Sequence, residues 1–139
     1  MTRRLSLPDC QKLLGKSLGE DVSRFSIESQ NLYVHVQPSV MLRCLSKLSS
    51  DTQLQFSTLT DCFSVDHLAT LGLYHIYYQL HSYLIDMTVF VVTSALENDT
   101  VRSVTVLFEN ADWYEREIFE MSGLEFSEHP DLRPLFDAR

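Results

Sequence analysis

No apolar run in this sequence approaches the roughly 20 residues that a membrane-crossing helix requires. The longest, Tyr83 to Val92, is interrupted by Asp86. Arg3 and Arg4 are followed by Leu-Ser-Leu-Pro instead of an apolar stretch, so no secretory signal is expected there. Glycine is scarce, with four residues in 139, and no glycine-rich phosphate loop can be assembled from them. Basic residues are outnumbered 11 to 19 by acidic ones, and the net charge of −8 repels phosphate backbones and argues against nucleic acid as a partner. The same acidity suits docking on a basic protein surface. Cys10, Cys44 and Cys62 are odd in number, widely spaced, set among apolar neighbours and without a Cys-x-x-Cys pair. Buried thiols in a reducing compartment are expected from them, not a disulfide framework or a metal site. His35, His67, His75, His81 and His129 are scattered as well, with no second ligand at a zinc spacing.

What remains is an ordinary globular composition, 45% hydrophobic and 22% charged. A chain of this length supports one core that buries about two thirds of the unfolded surface. Ser6 as N-cap, Pro8 in the first turn and Leu7, Cys10, Leu13, Leu14 and Leu18 at helical spacing predict a first helix ending near Gly19. Alternation over 24–29 and 32–37, around Gln30-Asn31, predicts a β-hairpin. Val40, Met41, Cys44, Leu45 and Leu48 behind Pro38-Ser39 predict a second helix with Arg43 and Lys47 outside. From Gln53 the period returns to two, predicting strands to about Phe63, over 72–82 and over 84–95, joined as a meander. A third helix is expected from near Asn110 to Gly123, with an irregular tail beyond. The fold class is therefore α+β, a two-layer sandwich of about three helices on one face of a mixed sheet of about five strands. Residues 1–123 are expected to form the single domain and 124–139 an extended C-terminal tail that docks on neighbours.

The segment densest in chemically capable residues is Asn110-Ala-Asp-Trp-Tyr-Glu-Arg-Glu-Ile-Phe-Glu-Met-Ser-Gly123, followed by His129-Pro-Asp-Leu-Arg133. Arg116 lies four residues after Asp112 and four before Glu120, so its guanidinium can be flanked by two carboxylates along a helix face. Glu115 and Glu117 sit about 200° apart around a helix and cannot share a proton or a metal, which disfavours a paired-carboxylate mechanism. Glu117, four residues from both Trp113 and Met121, is a carboxylate beside an apolar stripe and demands a cation. His129 is driven to extended backbone by Pro130 and presents Asp131 and Arg133 beyond it. Asp61 and Asp66 are expected at a strand end, a place that suits turn formation more often than catalysis. An independent acid–base enzyme would have to work through Asp61, Asp66 and the Glu115 to Glu117 region.

This stretch resembles the signature of the C-type, or thirty-kilodalton, subunit of respiratory complex I, NADH:ubiquinone oxidoreductase, through Trp113-Tyr-Glu-Arg-Glu117, a short helix, glycine, and His-Pro-Asp-Leu-Arg. The likeness continues upstream in Leu59-Thr-Asp-Cys-Phe-Ser-Val-Asp66 and Tyr74-His-Ile-Tyr-Tyr-Gln-Leu80, so it covers about residues 54–133. The resemblance implies an extramembrane structural subunit of the quinone module in the peripheral arm, with no catalytic site, metal or cofactor of its own. FMN, iron–sulfur clusters and quinone would belong to its partners, above all the quinone-site and terminal-cluster subunits. The implied interface residues are Glu115, Arg116, Glu117, His129, Pro130, Asp131 and Arg133, with Asp61 and Asp66 in addition. The implied location is the matrix side of the mitochondrial inner membrane or the cytoplasmic face of a bacterial membrane. Pro134 follows Arg133 where the family usually has a second arginine, and Asp112 replaces a commoner asparagine. The sequence stops at Arg139 without the family's Gly-x-Pro-Leu-Arg-Lys-Asp-Phe tail, so part of that docking surface is expected to be missing or supplied by another chain. The equivalent subunit of a membrane-bound hydrogenase or a ferredoxin-dependent complex is the alternative.

Overall fold

Local capping and alternation decide most of the elements. The structure, a computed structural model, describes residues 5–129. Pro130, Asp131 and Arg133 lie outside the described residues. Helix α1 (Leu7–Leu18) starts at Ser6, whose hydroxyl accepts the Asp9 amide at 3.2 Å, and carries Pro8 in the turn where a missing N–H does no harm. Gly19, at φ +60°, closes it. Gly15-Lys-Ser-Leu-Gly19 has the spacing of a nucleophile elbow, but it occupies the end of α1 instead of a strand-to-helix turn.

Strands β1 (Val22–Glu28) and β2 (Asn31–Val36) form the antiparallel hairpin. Its turn is Ser29-Gln30, both at positive φ, one residue ahead of the expected position. A 3-10 turn at Pro38–Val40 feeds helix α2 (Met41–Ser50). Arg43 and Lys47 on the outer side of α2 grip Asp21 at 2.6 and 3.0 Å, and hydrogen bonds from Arg43 first and Lys47 second hold that carboxyl down to about 2. The clamp ties α2 to the end of α1.

Strand β3 (Thr58–His67), a one-turn helix α3 (Leu68–Leu71), β4 (Leu73–Ser82) and β5 (Met87–Leu96) complete the meander. The spatial order is β1-β2-β5-β4-β3, with β2 parallel to β5 and the other pairs antiparallel. β3 runs past Phe63 because Ser64 to His67 continue to pair with β4. Asp61 therefore lies inside β3, beside a bulge, and not at its end. Only Asp66 is near the end, where its carboxylate accepts the Leu68 amide at 2.9 Å and opens α3.

After β6 (Thr100–Arg102) comes helix α4 (Ala111–Ser122), and then β7 (Glu125–Ser127). The part of the tail expected to be irregular is thus partly a strand, and β7 pairs in parallel with β6. Leu124 and Phe126 are buried on either side of exposed Glu125, a period of two too short to register as a pattern. Side chains from α1, α2, α4 and the inward sheet face share one core, including Leu14, Leu45, Ile118, Val34, Ile76, Tyr78 and Val91. All three thiols are free and buried, and desolvation pushes Cys10 and Cys44 up to about 11 and Cys62 well above its usual value.

Ile76 has no exposed surface while Ile27 is 46% exposed. Ile76→Ala is expected to lower the unfolding free energy by about 2–5 kcal/mol, and Ile27→Ala by less than about 1 kcal/mol. Urea titration of both variants checks the contrast, and equal losses would contradict the difference in burial between the centre of the sheet and the inward side of its β1 edge.

Candidate functional site

Helix α4 is fastened to the edge of the sheet by side chains reaching free carbonyls of β3. Asn110 Nδ2 donates to the Leu59 carbonyl at 2.7 Å, and Tyr114 donates its hydroxyl to the Thr60 carbonyl at 3.1 Å. Those bonds satisfy acceptors that an edge strand otherwise leaves open. The helix phase then turns Ala111, Glu115 and Ile118 inward. Trp113, 55% exposed, and Met121, 87% exposed, point outward with Glu117 between them.

The carboxylate that burial forces to find partners is therefore Glu115, not Glu117. Glu115 has no exposed surface. One of its oxygens accepts the Ser103 hydroxyl at 2.7 Å and the other accepts the Val104 amide at 2.8 Å. His129, its side chain fully buried, brings Nε2 within 3.7 Å of Glu115 Oε1, 3.0 Å of Asp112 Oδ1 and 3.3 Å of the Asp112 carbonyl. Burial raises the Glu115 pKa, while the Ser103 and Val104 hydrogen bonds and then His129 pull it back. Asp112 is engaged with His129, so the expected arrangement of Arg116 between Asp112 and Glu120 gives way to a different one. The Arg116 Nε is buried without a hydrogen-bond partner.

Asp61 accepts the Cys62 amide at 2.8 Å and Asp66 the Leu68 amide at 2.9 Å; among the described residues neither is hydrogen-bonded to Glu115 or Glu117. Ser103 is the partner of Glu115 that sequence reasoning missed, because nothing about a serine in a loop marks it as the partner of a carboxylate on a later helix. An open cleft of about 310 Å³, lined by Pro38, Met41, Thr93, Asp99 and Arg102 among others, contains none of the sequence-predicted site residues. Among the described residues no cluster of three or more His, Cys, Asp or Glu is placed to hold a metal, and no helix is long and apolar enough to cross a membrane.

Residues 34–138 match the family described as "Respiratory-chain NADH dehydrogenase, 30 Kd subunit". The chain is similar to an NADH-quinone oxidoreductase subunit of the C type from Rhodospirillum rubrum, 35% identical over 94% of this chain and 61% of that protein. It is similar also to the probable mitochondrial NADH-ubiquinone oxidoreductase 30.4 kDa subunit of Candida maltosa, 35% identical over 81% of this chain and 41% of that protein. The chain thus spans between 41% and 61% of the length of these two curated relatives. Among solved structures, a trypsin-resistant fragment of Nqo5 shares the fold, with a TM-score of 0.70 at 21% identity over 88% of this chain and 98% of the fragment.

Glu115→Ala strips the Ser103 hydroxyl, the Val104 amide and His129 of an acceptor and is expected to cost about 3–5 kcal/mol of stability. Glu117→Ala, on the exposed face, should cost less than about 0.5 kcal/mol. The pH dependence has a definite sign. Folded Glu115 keeps its proton to higher pH than its ordinary 4.5, so the folded chain binds more protons than the unfolded chain in that window. The stability contribution of protonated Glu115 is complete below about 4.5 and is lost as pH rises through the elevated folded value. Glu115→Gln should flatten this decline in denaturation measured from pH 4 to pH 8, and an unchanged slope would refute the assignment.

Proposed function

The chain belongs to the 30 kDa subunit family of respiratory-chain NADH dehydrogenase, and from that membership we infer a structural subunit of the quinone module in the peripheral arm of complex I. It supports NADH-to-ubiquinone electron transfer by holding neighbouring subunits in place. FMN, iron–sulfur clusters and quinone belong to those partners, chiefly the quinone-site and terminal-cluster subunits. The observation that carries this reading is the family match over 34–138, which takes in the whole of α4 and the His129 segment. The 35% identity to NADH dehydrogenase subunits favours complex I over a membrane-bound hydrogenase.

The physics of α4 supports a positional role. Electron transfer needs cofactors at fixed separations, and a support contributes only as far as it is rigid. Glu115 and His129 act from beneath the helix, while Trp113, Arg116, Glu117 and Met121 are available to a neighbour. Tryptophan and arginine are the residue types that most often dominate interface energies. Pro130, Asp131 and Arg133, with Asp61 and Asp66, are the further interface residues that family membership suggests. The chain works on the matrix side of the mitochondrial inner membrane, or on the cytoplasmic face in a bacterium, held there by its partners.

Blue native electrophoresis of solubilised membranes, followed by mass spectrometry, tests this directly. The chain should co-migrate with flavin- and cluster-bearing subunits; migration as a free monomer would overturn the reading. Trp113→Glu and Arg116→Ala should each reduce assembled complex roughly ten-fold. Thermal melting of the purified variants should show less than about 1 kcal/mol of lost stability.

A further inference from the structure

The helices pack into a single core with one side of the five-stranded sheet, and the residues of the other side lie outside that core. Cross-strand register places Tyr33 beside Phe90 in one row, and His35, Val92, Tyr77 and Phe63 in sequence across the next. The rings pack on each other. Tyr33 stacks on Phe90 at 4.9 Å, Phe63 stacks on Tyr77 at 5.0 Å, and Tyr33 meets Tyr77 edge-on at 6.2 Å. Val92 is 2% exposed yet belongs to no part of the helix-covered core. The outer side of the sheet thus has an apolar centre of its own.

The charges on this side are few and placed at its margins. Strands β2, β5 and β4 contain no Asp, Glu, Lys or Arg, in a chain with 30 such residues (11 basic plus 19 acidic). Arg24 and Glu28 stand on edge strand β1, Asp61 on edge strand β3, and Asp86 in the turn near His81. His75 follows in the next row, with its ring 5.0 Å from that of His67. His35 and His75 are held below the ordinary histidine value, first by desolvation and then by neighbouring cations, Arg24 among them. Aromatic enrichment with charge depletion is the composition of an interface centre. Strands about 4.8 Å apart rising about 3.3 Å per residue give this face roughly 600–800 Å², near one partner's share of a standard interface.

We propose that this open sheet face is a second docking surface, filled by a neighbouring subunit whose contact patch is apolar at its centre and acidic opposite Arg24, His35, His67 and His75. The inference rests on the assembly reading above. A carboxylate on the partner answers the crowding of imidazoles and guanidinium, which otherwise grows costlier as water leaves. A second copy of the chain would bring −8 against −8. His129, the last described residue, lies on the helix side, against Asp112.

A photo-crosslinking phenylalanine analogue at Phe63, which is 36% exposed, tests the surface in the full chain within the solubilised assembly, with a second probe at Trp113. The Phe63 probe should capture one assembly subunit, at a peptide with apolar residues flanked by Asp or Glu. Arg24→Glu combined with His75→Glu should lower that yield roughly ten-fold while leaving the thermal melt of the chain and the Trp113 yield unchanged. Capture of a second copy or of residues 130–139, or no capture while the Trp113 probe finds a subunit, would overturn this inference and leave the proposed function standing. Failure at both positions, with the chain migrating alone, would overturn both.

Discussion

A carboxylate sealed from solvent fixes how α4 sits, and much of the molecule's outer shape follows from it. Among the described residues no lysine or arginine pairs with Glu115; a hydroxyl, a backbone amide and an imidazole meet its charge instead. Taking an ion out of water costs several kcal/mol unless its lone pairs find donors, so those three partners have to be held in place. They come from separate parts of the chain: Ser103 and Val104 from the loop after β6, and His129 from beyond β7. One side chain therefore joins α4 to two other segments. With Glu115 inward, Trp113, Glu117 and Met121 have nowhere to point but out.

The small parallel pairing of β6 with β7 works with the same carboxylate. Ser103 donates its amide to the Ser127 carbonyl at 3.0 Å while its hydroxyl serves Glu115. Arg102 adds an ion pair to Glu128 at the surface. Surface pairs of this kind contribute little on their own, so the burial of Leu124 and Phe126 is the larger force holding the segment. Among the described residues Glu115 is the one acid with no exposed surface, and both its oxygens are occupied by Ser103 and Val104.

Much of the fold was legible because the deciding chemistry was local. Ser6, Pro8 and Gly19 mark the ends of α1 by capping rules that need no tertiary knowledge. β2 and β4 alternate strictly between buried and half-buried residues, so the period of two was plain. β5 instead buries Val91, Val92 and Thr93 in succession, and what its second face contributes emerges only from cross-strand register. The phase of α4 was misread because Trp113 and Met121 are apolar and exposed together, whereas the inward stripe consists of a small Ala111, a charged Glu115 and Ile118. Hydrophobicity alone cannot tell a side chain meant for the core from one meant for another protein.

That ambiguity has a physical cause shared by both surfaces. A helix with one apolar stripe finishes its burial against its own sheet, and an antiparallel sheet can leave its second face polar. Here α4 keeps an exposed tryptophan and methionine after its inner side is filled, and the sheet keeps four packed rings on the side its helices do not cover. Fully burying an exposed side chain of this size gains about 1.5–3 kcal/mol, and the isolated chain forgoes part of that gain at each of them, most at Met121, Trp113 and Phe63. The excess of acidic residues, which leaves β2, β4 and β5 uncharged and gathers elsewhere, keeps the remaining surface wetted while these patches stay cheap to desolvate. Apolar surface beyond what one core can absorb, set on a frame stiffened from within, is the physical ground for reading both patches as places where other polypeptides complete the burial.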